Sequence, residues 1–245
     1  MFFPHLMNIK NDELVLEIGP GAYPFWRSDC LVDIYDENSQ VDLTQFGGAE
    51  LRTKGKPLFL IENNTLPFKD NSFDYIICSH VFEHVPINDL KFLASEIMRV
   101  GKKAYIEFPK PLYDYLYNFK VHLNLMDIVN GEILCLDKSQ TDLSAVKRFQ
   151  ELSYGLRKKN LFSIDEHFAP VVAIGKEFVG DIPLKILESE DEFFELVINN
   201  KYYVSEPSFT WKVFNKMRPA RIVKNLIGEI KRDRLYSCLT KNNEN

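Results

Sequence analysis

Short apolar runs recur through the first half of the chain, separated by turn-rich segments and by one stretch of helical period. Each run is five to seven residues long and rich in aliphatic and aromatic side chains, which is typical of a strand buried on both faces. The runs are Leu14–Ile18, Leu31–Tyr35, Leu58–Glu62, Phe73–Ser79 and Ala104–Phe108. The pattern predicts βαβ units and an α/β fold with a doubly wound, mostly parallel sheet.

Two connections between these runs differ in character. Residues 89–100 place Leu90, Leu93 and Ile97 on one helical face, and Gly101 follows as a stop signal, so a helix is predicted there. Only nine residues, 22–30, separate the first glycine turn from the second run, and Pro24 lies among them. A crossover helix needs about a dozen residues, so we expect one turn of helix or a coil at this point.

The second half of the chain is less regular. Asn130-Gly131 lies between apolar positions in residues 126–134, a strong signal for a β-hairpin. The remaining predicted elements are helices over Asp142–Lys159 and Asp191–Asn199, closing strands over Val171–Ile174 and Ile182–Leu187, and a basic amphipathic stretch over Arg221–Arg234. No internal repeat or clean linker is visible, so the 245 residues are predicted to form one domain.

Composition and charge limit which binding partners and which cellular compartment we expect for this protein. The formal net charge of −5 argues against a surface built to grip nucleic acid. The four cysteines are scattered without a Cys-x-x-Cys pair, which predicts a reducing, cytoplasmic setting. The first residues lack the pattern of a signal peptide, and no run approaches the roughly 18 apolar residues of a spanning helix.

A glycine turn, Gly19-Pro20-Gly21, follows the first predicted strand. Glycine lets the backbone approach a ligand closely and adopt positive φ. Alone this is a weak signal, because many α/β proteins have such a turn.

Further motifs follow the turn in a fixed order. They are Val32-Asp33, Leu66-Pro67-Phe68, Asp70-Asn71-Ser72-Phe73-Asp74, Ser79-His80-Val81-Phe82-Glu83-His84-Val85 and Glu96-Ile97-Met98-Arg99-Val100. From about Asp12 to Pro109 the chain therefore resembles a class I S-adenosylmethionine-dependent methyltransferase. Beyond Pro111 it is loosely similar to small methyltransferases of bacterial surface-polysaccharide clusters. The resemblance implies a Rossmann-like fold and S-adenosyl-L-methionine as cofactor.

The resemblance also implies cofactor contacts. Glu17 would face the methionyl ammonium, and the Gly19-Pro20-Gly21 backbone would lie under the ribose and methionyl part. Asp33 would accept hydrogen bonds from both ribose hydroxyls. Glu62, with the Asn63 N–H beside it, would hold the adenine; Glu62 stands where the family usually has Asp.

Ser79 and His80 would lie beside the methionyl part and the sulfonium. Methyl transfer to a hydroxyl or ammonium needs a general base, a role for which imidazole is suited at neutral pH. In some relatives the positions of His80 and His84 carry the catalytic pair, so these two are the catalytic candidates. They share a face if their segment is helical, with Glu83 pointing to solvent or fixing that helix.

Two other interpretations of this segment stay open. His-x-x-Glu-His is also the pattern of inverted zinc proteases. Pro86 leaves only about one turn of helix, so a zinc protease, and a metal site in general, is not predicted. Alternatively, His84 hydrogen-bonds backbone at the base of a loop.

The chain divides into a cofactor-binding half (about 12–110), a substrate-cap insertion after the fifth strand (about 111–170), and closing strands with a basic C-terminal helix (about 171–245). Tyrosine, histidine and lysine suit an acceptor rich in hydroxyls or phosphate. The candidate substrate residues in the cap are Tyr113, Tyr115, Tyr117, His122 and Lys138.

The predicted activity is methyl transfer to oxygen of a small polar or nucleotide-linked precursor of surface polysaccharide or capsule, at a sugar or phosphoramidate group. Alternatives are N-methylation of a small metabolite and a non-catalytic subunit that only binds the cofactor. The C-terminal basic helix either packs on the domain or contacts an anionic membrane surface. The sequence leaves the oligomeric state open.

Overall fold

The computed structural model describes residues 3–36, 51–61, 65–159 and 169–199. Glu62, Asn63 and the basic stretch over Arg221–Arg234 lie outside these residues. The predictions made for them therefore stay predictions.

In the part of the chain that the structure describes, nine strands form two sheets. Their bounds are β1 (Val15–Ile18), β2 (Cys30–Asp33), β3 (Leu58–Leu60), β4 (Tyr75–Ser79), β5 (Lys103–Pro109), β6 (Asn124–Val129), β7 (Glu132–Asp137), β8 (Ala173–Val179) and β9 (Leu184–Leu187). The main sheet has the order β3-β2-β1-β4-β5-β8, and β6-β7-β9 form the second. The first five strands pair in parallel and β8 runs antiparallel to β5. The predicted doubly wound, mostly parallel sheet is confirmed.

Burial explains why these segments are strands. All residues of β1 and β2 are buried, as expected for strands covered on both faces. Because the strands are parallel, the carboxyl ends of β1, β2 and β4 meet at one edge of the sheet. Ligands of open α/β sheets bind beyond that edge.

The described residues contain fewer α-helices than strands. Among the described residues they are α1 (Leu90–Val100), α2 (Pro111–Tyr117), α3 (Lys147–Lys158), α4 (Ala169–Val172) and α5 (Glu190–Asn199). The predicted helix over 89–100 is confirmed as α1, whose buried Leu90, Leu93 and Ile97 join the main core. Residues 143–146 form a 3-10 helix that leads into α3, so the predicted helix over 142–159 is confirmed with a tighter first turn.

No helix connects β1 to β2, as the short spacing predicts. Residues 19–29 instead form successive turns. Arg27 fastens this coil to the preceding loop by donating to the carbonyls of Lys10 and Glu13 at 2.6 and 2.7 Å.

The second sheet is built on the predicted hairpin. At its turn Asn130 and Gly131 have φ of 52° and 89°, the positive pair that a two-residue type I′ turn requires. β9 pairs in parallel with β7, so it completes this sheet and does not close the main one. The main and second sheets are bridged by packing between β5 and β6.

The closing strand predicted over Val171–Ile174 is wrong in its bounds. Val171 and Val172 end α4, which begins at Ala169-Pro170, and proline is favoured in a first helical turn. The strand β8 starts at Ala173 and continues to Val179. Its later half includes Lys176 and Glu177, because an edge strand exposes one face to solvent. A search for apolar runs therefore does not find the full length of such a strand.

No helix in the part of the chain described by the structure is long and apolar enough to cross a membrane.

Candidate active site

The glycine turn lies at the carboxyl edge of the main sheet. Gly19 has φ of +62° and donates from its amide to the Val32 carbonyl at 2.9 Å, and Gly21 has φ of +53°. A Cβ on Gly19 would lie 2.4 Å from Cγ2 of Val81, the residue that follows His80. The turn is thus packed directly against the segment that leaves β4, and a side chain at position 19 would separate them.

Glu17 is buried, and its carboxylate holds the coil that replaces the first helix. Its two oxygens accept from the Phe25 amide at 3.1 and 2.8 Å, and Oε2 accepts from the Ser28 hydroxyl at 2.6 Å. Burial raises the pKa of Glu17, although the bonds from Ser28 and Phe25 oppose the shift. The described contacts of Glu17 are internal, and its contact with a methionyl ammonium stays a prediction.

Asp33 ends β2 at the same edge and is 5% exposed. Its Oδ1 accepts from the Tyr35 amide at 3.2 Å, whereas Oδ2 is buried without a hydrogen-bond partner in the described structure. Burial raises the pKa of Asp33 to about 6, with opposing bonds from the backbone of Tyr35 and Ile34. A buried acceptor without a donor is costly, and a ligand hydroxyl would satisfy it.

Glu107 of β5 organises the end of β4. The two strands align Ser79 with Glu107, and the Ser79 hydroxyl donates to Glu107 Oε1 at 2.8 Å. Glu107 Oε2 accepts from the Tyr105 hydroxyl at 2.7 Å and the Phe3 amide at 2.9 Å. Burial opposes ionisation of Glu107, but the bonds from His80 and Tyr105 and the charge of His80 help to hold its pKa well below the usual range.

His80 lies between two carboxylates. Its Nδ1 is 3.1 Å from Glu83 Oε1 and its Nε2 is 3.4 Å from Glu107 Oε1. Burial lowers the pKa of His80, but hydrogen bonds and charges from Glu107 and Glu83 outweigh this and raise it to about 9. The residue also has φ of +59°, a strained conformation for a side chain with a Cβ. His80 is therefore held as an imidazolium in a fixed position.

His80 and His84 do not lie on one helix, so the condition under which they would share a helical face is not met. Only Phe82–His84 form a 3-10 turn, and the positive φ of His80 places it outside that turn. Glu83 is fully buried and joins the two histidines, with its Oε1 3.9 Å from His84 Nε2. The expectation that Glu83 points to solvent is wrong. The two flanking imidazoles and the packing of β6 on this turn enclose its carboxylate.

The tautomers of His84 and His122 follow from their partners. His84 Nδ1 is 2.8 Å from the Val121 carbonyl, and His122 Nδ1 is 2.8 Å from Asp114 Oδ2. Each partner only accepts, so each Nδ1 carries a hydrogen and each neutral ring keeps its lone pair on Nε2. The interpretation of His84 as a backbone-bonded histidine thus holds for Nδ1 and leaves Nε2 available for chemistry.

The candidate substrate residues fall into two groups. His122 and Lys138 line an open cavity of about 650 Å³, together with side chains such as Asn88, Asn118 and Asp137. Buried Asp114 connects the two, because its Oδ1 accepts from Lys138 Nζ at 2.7 Å and its Oδ2 from His122.

The tyrosines lie elsewhere in the cap. Tyr113 and Tyr117 are buried in an aromatic cluster with Phe119, over which the Arg157 guanidinium lies at 5.0 to 5.6 Å from the ring centroids. The Tyr115 hydroxyl donates to Glu190 Oε1 at 2.5 Å and so ties α2 to α5. These contacts are those of packing residues, and contact with a substrate stays a prediction for the tyrosines.

Residues 31–104 match a family model described as a methyltransferase domain. This segment runs from β2 to the start of β5 and contains Asp33, Ser79, His80 and His84; the glycine turn precedes it. The match covers less than a third of the chain and shows that this segment is similar to methyltransferase domains. The mostly parallel order of the main sheet agrees with a class I, Rossmann-like fold.

Solved structures similar to this chain include S-adenosylmethionine-dependent methyltransferases from three organisms. The one from Thermotoga maritima has 20% identity and a TM-score of 0.30, with 41% of this chain and 45% of that chain covered. The one from Aquifex aeolicus has 19% identity and a TM-score of 0.28, with 40% and 57% covered. The one from Methanosarcina mazei has 19% identity and a TM-score of 0.31, with 50% and 69% covered.

The aligned part of the chain thus spans about half the length of the first two of these structures. No protein of curated function matches the chain significantly.

Sequence reasoning missed three residues of the site. Glu83 was expected to point to solvent or to fix a helix, and Glu107 and Asp114 were not singled out. Glu107 stands inside an otherwise apolar run, Ala104–Phe108, and a charge at such a position is a usable signal of a buried polar role. No such signal exists for Asp114, since it alternates with tyrosines in a helix whose buried face the sequence does not reveal.

Proposed function

We propose that this protein transfers the methyl group of S-adenosyl-L-methionine to an oxygen of a small polar or nucleotide-linked precursor. The pathway would be surface-polysaccharide or capsule assembly, with a sugar or phosphoramidate group as acceptor, in the cytoplasm. The observation that carries the proposal is the buried, unsatisfied Oδ2 of Asp33 at the carboxyl edge of the sheet. It is an acceptor placed where the ribose of the cofactor is expected.

Cofactor placement is supported by three features of that edge. The Gly19 turn with its positive φ follows β1, Asp33 ends β2, and Ser79 ends β4. A cofactor lying across these three strand ends would set its ribose on Asp33 and its methionyl part near Ser79 and His80. In this arrangement Asp33 accepts from the ribose hydroxyls as an ionised carboxylate.

The two histidines are given different roles. His80 has both ring nitrogens facing carboxylates and is held as an imidazolium, so we assign it to positioning the segment beside the cofactor. His84 offers an Nε2 lone pair, so activation of the acceptor oxygen is assigned to it. Displacement at a sulfonium needs an aligned nucleophile and little else, which makes this deprotonation the main chemical task of the protein.

The acceptor class is supported by the polar lining of the 650 Å³ cavity. Lysine, asparagine and serine side chains there suit hydroxyls and an anionic group such as phosphate. The loose resemblance of the cap to methyltransferases of surface-polysaccharide clusters points in the same direction.

A labelled-methyl assay tests the proposal. The purified protein is incubated with S-adenosylmethionine carrying an isotopic methyl group and with nucleotide-linked sugars, sugar phosphates, phosphoramidates and small amines in parallel. We expect methyl ethers or esters from one oxygen acceptor. We also expect His84→Ala to lower kcat by about 10²–10⁴-fold with unchanged cofactor affinity.

Lys185→Ala is the control, because Lys185 is exposed and pairs with the exposed Glu192 of α5, and we expect it to keep full turnover. Transfer only to nitrogen would overturn the choice of oxygen. Tight cofactor binding without transfer to any acceptor would favour the non-catalytic alternative. Full activity of His84→Ala would refute the role given to His84.

A further inference from the structure

We propose that Glu83, His84 and His122 bind a divalent transition-metal ion. One donor atom from each residue lies within 4.8 Å of the other two, and Glu83 and His122 are buried. The sequence pattern had predicted no metal site, and the proposal replaces that prediction. The ligands also differ from those of the protease pattern. His80 is paired with Glu83 and Glu107 and is not a ligand, and His122 replaces it.

The two histidines are oriented as metal ligands are. A ligating histidine usually donates its other ring N–H to a carboxylate or a carbonyl, which fixes the ring and raises its basicity. His122 Nδ1 donates to Asp114 and His84 Nδ1 donates to the Val121 carbonyl, each at 2.8 Å. The rings are 5.1 Å apart between centroids, and both Nε2 lone pairs are left for a shared ion.

Glu83 supplies the second, independent observation. Its side chain is fully buried, and its Oε2 has no hydrogen-bond partner in the described part of the chain. A buried carboxylate oxygen without a donor costs free energy unless a cation or a donor satisfies it. A metal ion between Glu83 and the two imidazoles would do so.

The supporting partners of the site are themselves fixed. Asp114 is 1% exposed and is held by Lys138 Nζ at 2.7 Å, so it stays in place to accept from His122. The segment that carries Val121 is tied to Glu83 by a bond from the Leu123 amide to the Glu83 carbonyl, at 2.6 Å. The cap and the segment after β4 thus each contribute ligands and hold one another in register.

The donor set selects the ion. Two imidazoles and one carboxylate suit Zn²⁺, Co²⁺, Mn²⁺ or Fe²⁺, whereas Mg²⁺ and Ca²⁺ prefer all-oxygen ligands. Metal–ligand bonds of about 2.0–2.2 Å place tetrahedral donors roughly 3.4 Å apart, so the three side chains would close by about an ångström on binding. Three protein ligands leave a coordination position open, as in catalytic rather than structural metal sites.

The open position gives the ion a role that rests on the proposed function. A hydroxyl of the acceptor would bind there, and the positive ion would lower the pKa of that hydroxyl so that it loses its proton to solvent water. The alkoxide oxygen would then take the methyl group as the S–CH₃ bond of the sulfonium breaks, and the neutral thioether would leave. His84 would then act through the ion rather than by taking the proton itself. Metal binding by the three residues does not depend on this role and is tested separately.

Metal content is measured first. The full chain is stripped with a chelator, incubated with Zn²⁺, Co²⁺ or Mn²⁺, passed through a desalting column and analysed by elemental mass spectrometry. We expect close to one ion per chain for the wild type and for His5→Gln, the matched control. We expect at least 100-fold weaker binding for Glu83→Gln and His122→Gln, and 10–100-fold weaker binding for Asp114→Asn. Mg²⁺ should not compete.

A second measurement uses only the wild type, so that the proposal can still be tested if the variants do not fold. Long-range ¹H–¹⁵N spectra of the histidine rings should show Zn²⁺ shifting the Nε2 resonances of His84 and His122 while both Nδ1 stay protonated. The Co²⁺ form should absorb in the visible with the intensity of a four- or five-coordinate site.

Binding below a tenth of an ion per chain, or shifts confined to other histidines, would overturn the site. One ion per chain without methyl transfer to any acceptor would instead leave the site standing and refute the proposed function.

Discussion

At the scale of single residues, burial of Asp33 is unfavourable for the charged form of its carboxyl group. Its pKa of about 6 means that the carboxylate is ionised at neutral pH despite being 5% exposed. The folded pKa lies above the ordinary value of 3.8, so the neutral form is the one the fold favours. This contribution to stability is complete below the ordinary pKa and is lost as pH rises through about 6.

Asp33→Asn should therefore stabilise the free protein while weakening the cofactor. At pH 7.5 we expect the free energy of unfolding in urea to rise by up to about 3 kcal/mol, and at pH 4 the gain should disappear. S-adenosylmethionine affinity, measured by calorimetry, should fall by about 10–100-fold, because a charged acceptor of the ribose hydroxyls is lost.

The exposed Asp12→Asn serves as the control and should leave both measurements unchanged. If Asp33→Asn lowered the free energy of unfolding at pH 7.5, the hydrogen bonds that Asp33 accepts would contribute more free energy than the burial of its charge costs.

At the scale of elements, Arg99 ties the end of α1 to the loop before β4. It donates to the carbonyls of Leu66 and Phe68 at 3.0 and 2.7 Å and forms a two-pronged pair with Glu96. Glu96 in turn accepts from the Leu66 amide at 2.9 Å. This network explains why the Leu66-Pro67-Phe68 motif and the Glu96–Arg99 motif occur together, since each satisfies the polar groups of the other.

Arg99→Ala should lower the free energy of unfolding by about 1–3 kcal/mol, because two carbonyls and Glu96 lose a charged donor. Arg99→Lys should recover only part of the loss, since an ammonium does not reproduce the planar fork. Lys102→Ala is the control: it removes one charge from an exposed pair with Asp74 and should cost under about 0.5 kcal/mol. Equal effects of Arg99→Ala and Lys102→Ala in urea unfolding would contradict the network.

At the scale of the whole molecule, the cap is assembled on the segment that leaves β4. Asn124, the first residue of β6, is 2% exposed and donates from Nδ2 to the carbonyls of Phe82 and Val85 at 3.1 and 2.7 Å. The second sheet is thereby registered against the segment that carries His84, through bonds on either side of that residue. Acceptor geometry and cofactor binding should accordingly respond differently to changes in the cap.

Asn124→Ala should separate these two properties. We expect kcat/KM for the methyl acceptor to fall by at least tenfold, because the segment carrying His84 loses two bonds, while cofactor affinity changes less than threefold. Asn130→Gly, in the turn of the same hairpin, should leave both unchanged because glycine accepts its positive φ. A parallel loss of cofactor affinity in Asn124→Ala would mean that the cap and the cofactor loop are not independent.

The main sheet and its ligand edge could be predicted from sequence because their signals are local. Apolar runs such as Leu14–Ile18 and Phe73–Ser79 are buried whichever neighbours they take, and a glycine at position 19 reports a positive φ directly. The hairpin at Asn130-Gly131 is equally local, since two residues with positive φ specify the turn.

What only the tertiary structure decided depends on partners distant in sequence. β9 was predicted as a closing strand without a partner, because its sequence carries no mark of its neighbour β7. The burial of Glu83 depends on His80, His84 and the cap. His122 reaches Glu83 and His84 across nearly forty residues only because the cap folds back on the end of β4. A linear pattern records which residues prefer burial, but the convergence of charged side chains from separate elements is decided by the three-dimensional packing of the chain.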